Sequence, residues 1–144
     1  MSTEEEAVCK AAMRFYAAIE GMMTGKGLEA IRVAWHHTGE VTSGHPSGDW
    51  ALGWDEVWAT WEVFASFACP EGGGSVVRGL KAHVYGDFAY TTCVFVASPF
   101  FGGDALSCTN VLVRRDGEWK LVHHHADKSP GIAATLERLA LQGA

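Results

Sequence analysis

A chain of 144 residues is the length of one domain with a single core, and 48% hydrophobic with 19% charged residues is too apolar for a disordered segment. The net charge of −6, with Glu4, Glu5 and Glu6 in a row, argues against nucleic acid, whose binding rests on Lys and Arg meeting phosphates. No apolar run approaches the ~18 residues of a membrane span, the opening residues lack the basic and apolar regions of a secretory signal, and Cys9, Cys69, Cys93 and Cys108 form no CxxC pair. The expectation is a single cytoplasmic domain over residues 1–144 with reduced thiols and no cofactor, membrane or nucleic-acid partner.

Residues 3–25 predict a helix. Thr3 and Glu6 have the spacing of a capping box, the first-turn acids suit the helix dipole, and Val8, Ala12, Phe15, Ile19 and Met22 recur at helical steps. Gly25 and Gly27 end it, and a short second helix over 28–35 follows, with Leu28, Ile31, Val33 and Trp35 apolar. A short strand is expected around 37–43, then a loop. In "GWDEVWATWEVFASF" the period is helical again, with Trp54, Val57, Trp58, Trp61 and Phe64 on one face. "CPEGGGS" breaks the chain.

After Ser75 the texture is β. "VVRGLKAHVYG", "FAYTTCVFVAS", "ALSCTNVLVRR" and "EWKLVHHHAD" are separated by Gly86-Asp87, "PFFGGD" and Asp116-Gly117, which are hairpin signals. They predict an antiparallel meander. Residues 131–142 predict a terminal helix with Ile132, Leu136 and Leu139 on one face. Helices first and strands second is an α+β order. A curved sheet laid around the helices makes a cone, whose inner end is a pocket unless large side chains fill it.

Three histidines, His123, His124 and His125, stand in the last predicted strand. Strict alternation puts Trp119, Leu121, His123 and His125 on one face, and Lys120, Val122, His124 and Ala126 on the other. At most two of the three enter one pocket, so this run alone builds no three-histidine metal site. Alternation leaves open which set points inward. A metal would need His36, His37, His45 or His83 to converge on that strand, and none has ligand spacing with an acid, so no metal is expected. "EGGGS" lacks the following GK[ST] of a phosphate loop. Five of the six tryptophans lie between residues 35 and 61. Trp50, Trp54 and Trp58, with Tyr90, are the expected walls of a pocket for a flat or apolar ligand.

The element order, the ending "GEWKLVHHHADKSP" and the opening "RFYAAIEGMMTGKGLEAI" resemble the nuclear transport factor 2-like superfamily of cystatin-like α+β cones. That superfamily includes ketosteroid isomerase, SnoaL-like cyclases, scytalone dehydratase and the calcium/calmodulin kinase association domain. The resemblance implies a cone with N-terminal helices packed in a curved antiparallel sheet. It implies that positions 124 and 126 line the pocket and that His123 and His125 lie on an outer face used for a homodimer. It places Tyr16 where the isomerase has an oxyanion donor, and Thr109 or Asn110 where it has a protonated Asp. No Asp stands where the isomerase keeps its carboxylate base, and His45 is the nearest base-capable residue, which argues against classical steroid isomerisation. The functional expectation is a SnoaL-like protein that binds a small apolar organic molecule, with cofactor-free isomerase, dehydratase or cyclase chemistry on a carbonyl compound. In it Tyr16 donates, His45 or His124 moves the proton and Asn110 holds developing charge. The rival is a dimeric binding or assembly module without catalysis.

Overall fold

The computed structural model describes residues 1–46, 48–98, 103–129 and 131–143. Helix α1 (Thr3–Met23) opens on a capping box one residue earlier than the sequence spacing predicts: the Glu5 N–H donates to Ser2 Oγ at 3.1 Å, and the Ser2 N–H donates back to Glu5 Oε2 at 3.3 Å. Val8, Ala11, Ala12, Phe15, Tyr16, Ile19 and Met22 form its buried stripe, so Tyr16 belongs to the core face itself. Helix α2 (Glu29–Ala34) and helix α3 (Trp54–Ala65) follow, with strands β1 (Thr42–Gly44) and β2 (Ala51–Leu52) between them.

The predicted meander is present as β3 (Gly74–Tyr85), β4 (Phe88–Ser98), β5 (Ala105–Arg115) and β6 (Glu118–Lys128). All three junctions are antiparallel. The turn into β6 uses Asp116 (φ 53°) and Gly117 (φ 79°), the positive pair that a type I′ hairpin requires. Of the "PFFGGD" signal, residues 99–102 lie outside the described residues. Two features were not expected. β1 joins the far edge of β6 in parallel, and β2 pairs antiparallel with β1, giving the order β2-β1-β6-β5-β4-β3. Helix α4 (Ile132–Gln142) keeps its apolar residues Ile132, Leu136 and Leu139 exposed.

Two irregularities aim the side chains. In β3 the register jumps between Arg78 and Lys81, so Gly79 (φ 65°) and Leu80 together face Cys93 of β4. In β6 the partners run Val111↔His123 and then Leu112↔Leu121, which leaves Val122 as an extra residue. The face inverts across that bulge. Trp119 and Leu121 point inward on one side of it, and His124 and Ala126 point inward on the other, all buried. The strict alternation read from sequence is therefore corrected: Trp119 and Leu121 do not share the outer face with His123 and His125. Only the two histidines lie outside, half-buried.

Removing the extra residue would restore strict alternation and turn one half of β6 inside out. A Val122 deletion is expected to abolish the cooperative thermal transition followed by far-UV circular dichroism, whereas Val122→Ala, which keeps the residue count, is expected to retain it.

Candidate functional site: a buried histidine chamber

Three elements deliver one buried polar chain. Tyr16 comes from α1, Asn110 from the middle of β5 and His124 from β6, where Asn110 and His124 are direct cross-strand partners. Asn110 is fully buried, and Tyr16 and His124 are 1% and 2% exposed. The His124 Nδ1–H donates to Asn110 Oδ1 at 2.6 Å. Asn110 Nδ2 donates to the Tyr16 hydroxyl at 2.8 Å and to Thr91 Oγ1 at 3.1 Å. With Nδ1 protonated by this pairing, the neutral imidazole of His124 carries its lone pair on Nε2.

His45 reaches the same place by the parallel pairing. Ser43 is the register partner of His124 and Gly44 of His125, so the residue that follows β1 lies over the inner end of β6. The ring of His45 sits 5.3 Å from that of His124 and 5.2 Å from that of Trp61, and Trp61 and His124 are 6.2 Å apart, all between centroids. The three rings form a triangle. They border a chamber of about 30 Å³ whose other walls include Ile19, Met22, Phe64, Phe95 and Leu106. Phe15 backs the triangle, 5.0 Å from His124 and 5.7 Å from Trp61. His45 Nε2 and Trp61 Nε1 are buried and, among the described residues, have no hydrogen-bond partner. Buried polar atoms are normally paired, because an unpaired one costs about 1–3 kcal/mol.

Burial sets the protonation of these rings. His124 titrates well below the ordinary histidine value, first because it is desolvated and then because a charge on His45 would repel its own. His45 is lowered to about 4, again by desolvation and then by His125. Both are neutral near pH 7. The Tyr16 hydroxyl is pushed far up by burial and by the neighbouring thiols Cys108 and Cys93, so it stays protonated.

Tyr16, Asn110, His124 and His45 are thus brought together, but not all in the expected way. Both ends of the Asn110 amide are already committed, so it positions His124 and has no free donor for an oxyanion. None of the four expected walls lines the chamber. Trp50 lies on the outer face, 4.9 Å from His125 and 5.6 Å from His123, and is half exposed. Trp54 stacks on His37 at 4.1 Å, Trp58 packs on Trp54 and under Arg32, and Tyr90 stacks on His83 at 4.7 Å on the outer face. Trp61 is the indole that enters instead. The sequence pattern placed it on the same face as Trp54 and Trp58, and only the fold shows that it is buried with Val57 four residues earlier. His36 and His37 point apart, to the carbonyls of Val113 and Arg32. Among the described residues, no group of three or more His, Cys, Asp or Glu side chains is placed to hold a metal ion, and no helix is long and apolar enough to cross a membrane.

A six-stranded mixed sheet wrapped on N-terminal helices, with a buried site at one end, defines an α+β cone of the NTF2-like, cystatin-like kind. The chain belongs to the SnoaL-like domain family, whose profile matches residues 13–129. A protein from Streptomyces avermitilis described as a candidate dehydratase of the NTF2-like family is 26% identical, with a TM-score of 0.74 over 88% of this chain and 96% of that one. An NTF2-like protein of unknown function from Pseudomonas putida KT2440 superposes with a TM-score of 0.76 at 18% identity, over 92% of each chain. The CaMKII hub of S. rosetta does so with a TM-score of 0.70 at 19% identity, over 90% of this chain and 99% of that one. Among curated proteins, the F-box protein SKIP8 of Arabidopsis thaliana is 27% identical over 101 residues, 70% of this chain. The aligned part is only 42% of that relative's length.

The buried imidazoles make stability depend on pH. Above about pH 6.5 neither the folded nor the unfolded chain holds a proton on His45 or His124, and nothing is lost. As pH falls from 6.5 towards 4, the unfolded chain binds protons that folded His45 refuses, so stability drops. Each such group contributes up to about 1.4 kcal/mol per pH unit. Urea midpoints measured between pH 7 and pH 4 are expected to fall along this line, and His45→Gln to make the slope shallower. Asn110→Leu, which strands the His124 N–H and removes the amide donor from the Tyr16 and Thr91 hydroxyls, is expected to cost about 3 kcal/mol at pH 7 in the same measurement.

Proposed function

We propose that this protein binds a small, mainly apolar organic molecule carrying one hydroxyl or enolisable carbonyl in the chamber between His45, Trp61 and His124. The observation that carries the reading is that two of the five buried side-chain atoms without a partner among the described residues meet at this cavity. Among the described residues, His45 Nε2 and Trp61 Nε1 are buried without partners beside an apolar cavity. A ligand oxygen that accepts from the indole N–H and donates to an imidazole lone pair would satisfy both needs, and the surrounding Ile, Met and Phe side chains suit an apolar body.

The chemistry such a site supports is cofactor-free acid–base catalysis: isomerisation, dehydration or cyclisation. His45 is the proton carrier in this reading, because its Nε2 has no hydrogen-bond partner among the described residues. His124 is held in one tautomer by Asn110 and presents Nε2 as a fixed acceptor. Tyr16 acts through Asn110, as a positioning residue. Desolvation keeps both imidazoles neutral and so able to take a proton, although pKa values this low make them weak bases until a developing anion next to them raises the values. The 26% identity to the candidate dehydratase supports the same class of reaction.

A second reading is an assembly module without catalysis, with two copies paired through the outer face that bears Trp50, His123 and His125. It is favoured by the chamber's size. About 30 Å³ has room for water, since one water needs roughly 10–15 Å³, whereas ligand sites commonly run to about 300 Å³ and more.

Thermal melting against a panel of small phenols and cyclic ketones separates the two. A bound ligand at 100 times its Kd stabilises the folded state by about 2.7 kcal/mol, a rise of several degrees. The binding reading expects such a rise for at least one compound, a shift of the Trp61 indole N–H resonance with it, and weaker binding in Trp61→Phe. His45→Gln is expected to keep binding and lose turnover. A flat melting temperature across the panel, with the indole resonance unmoved, would leave the assembly reading standing.

A further inference from the structure

The four cysteines were expected to be reduced, and Cys93 and Cys108 are buried. The structure adds a relation between those two. Cys93 and Cys108 are direct partners across the antiparallel β4–β5 ladder, and both side chains face the interior. Facing residues in such a ladder have Cα atoms about 4.5–5.5 Å apart, inside the roughly 4.4–6.8 Å that a disulfide spans. Both thiols are free: Cys93 Sγ donates to the Tyr16 hydroxyl at 3.2 Å and Cys108 Sγ to the Leu106 carbonyl at 3.7 Å.

The surroundings treat the two sulfurs differently. The Cys93 thiol lies 3.2 Å from the Tyr16 hydroxyl, whose oxygen already accepts from Asn110. Tyr16's own hydrogen is therefore available to turn towards Cys93 when that sulfur carries charge. The adjacent Cys108 thiol, against the opposing effect of burial and with a smaller contribution from Tyr16, lowers Cys93 to about 7, while Cys108 is pushed up by its nearness to Cys93 and by its own burial. The β3 irregularity also falls here. Gly79 and Leu80 are the residues opposite Cys93. The recess of about 450 Å³ at that bulge, bordered by Arg78, Gly79, Thr92, Thr109 and His125, lies on the outer face, behind the strands from which the two sulfurs point inward.

We propose that Cys93 and Cys108 form a redox-active dithiol, with Cys93 the attacking sulfur, that a peroxide closes into a disulfide between β4 and β5. The Cys93 thiolate attacks one peroxide oxygen, the O–O bond breaks, and hydroxide leaves with the electron pair. Cys93 is now a sulfenic acid. The Cys108 sulfur then attacks Cys93 Sγ, the S–O bond breaks, and the departing hydroxide takes up the thiol proton as water. Overall two thiols and one hydrogen peroxide give one disulfide and two waters.

Cys9 and Cys69 are internal controls. Both are more exposed than Cys93 and Cys108, and Cys9 is pushed up by burial and by Glu5. Exposure alone would have them oxidise first. The reduced native protein is treated with hydrogen peroxide, quenched in acid, unfolded and alkylated, and its peptides are mapped by mass spectrometry. The expected result is a Cys93–Cys108 cross-linked peptide pair with Cys9 and Cys69 alkylated, and full alkylation of all four after dithiothreitol. Cys108→Ser is expected to trap Cys93 as a dimedone adduct, and Cys93→Ser to leave Cys108 unoxidised. Circular dichroism checks that each variant folds, and the wild-type map decides the matter if either does not. Peroxide that oxidises Cys9 or Cys69 while Cys93 and Cys108 remain alkylatable would overturn the proposal. So would a folded Cys108→Ser protein without a dimedone adduct.

Discussion

The amide of Asn110 is shared between three elements. Its oxygen takes the His124 proton from β6, and its nitrogen serves Tyr16 of α1 and Thr91 of β4. All of these groups are buried, so the alternative to each bond is a stripped polar atom and not a hydrated one. That asymmetry makes the network a constraint on geometry. It holds α1 at one height on the sheet, and it chooses the ring orientation of His124. Phe15, one residue before Tyr16, then packs edge-on against both His124 and Trp61, so the apolar and polar contacts of α1 require the same placement.

The chamber depends on that placement and on two departures from regular sheet. The extra residue at Val122 lets one strand bury Trp119 and Leu121 near its start and His124 and Ala126 near its end. The parallel addition of β1 brings His45 across to His124. The outcome is an interior that is tightly packed yet not fully satisfied. Nitrogen atoms of His45 and Trp61 have no partner there among the described residues. Departures from complete hydrogen bonding are found disproportionately where a protein does something with a ligand, and this one adjoins the only imidazole whose tautomer is fixed by a buried amide among the described residues.

The helical stripe of α1, the Asp116-Gly117 hairpin and the β texture after Ser75 were all legible, because each is a local pattern of period 3.6 or 2 or a turn with demanding dihedral angles. The placement of His124 in the interior was legible only through family resemblance. Alternation counted from Trp119 gives the opposite face, since counting cannot see a bulge. Trp61 shows the same limit on a helix. Trp54, Trp58 and Trp61 lie on one stripe, and the sequence offers no means of saying which of them meets the sheet.

The sequence by itself determined the α+β order, the meander and its turns, and the set of residues able to do chemistry, since these rest on neighbours within a few positions. Tertiary structure alone decided which of those residues meet. Ser43 finds His124 and Cys93 finds Cys108 through backbone pairing between strands. Those registers are fixed by summed packing and hydrogen bonding over the whole sheet, which no local pattern encodes.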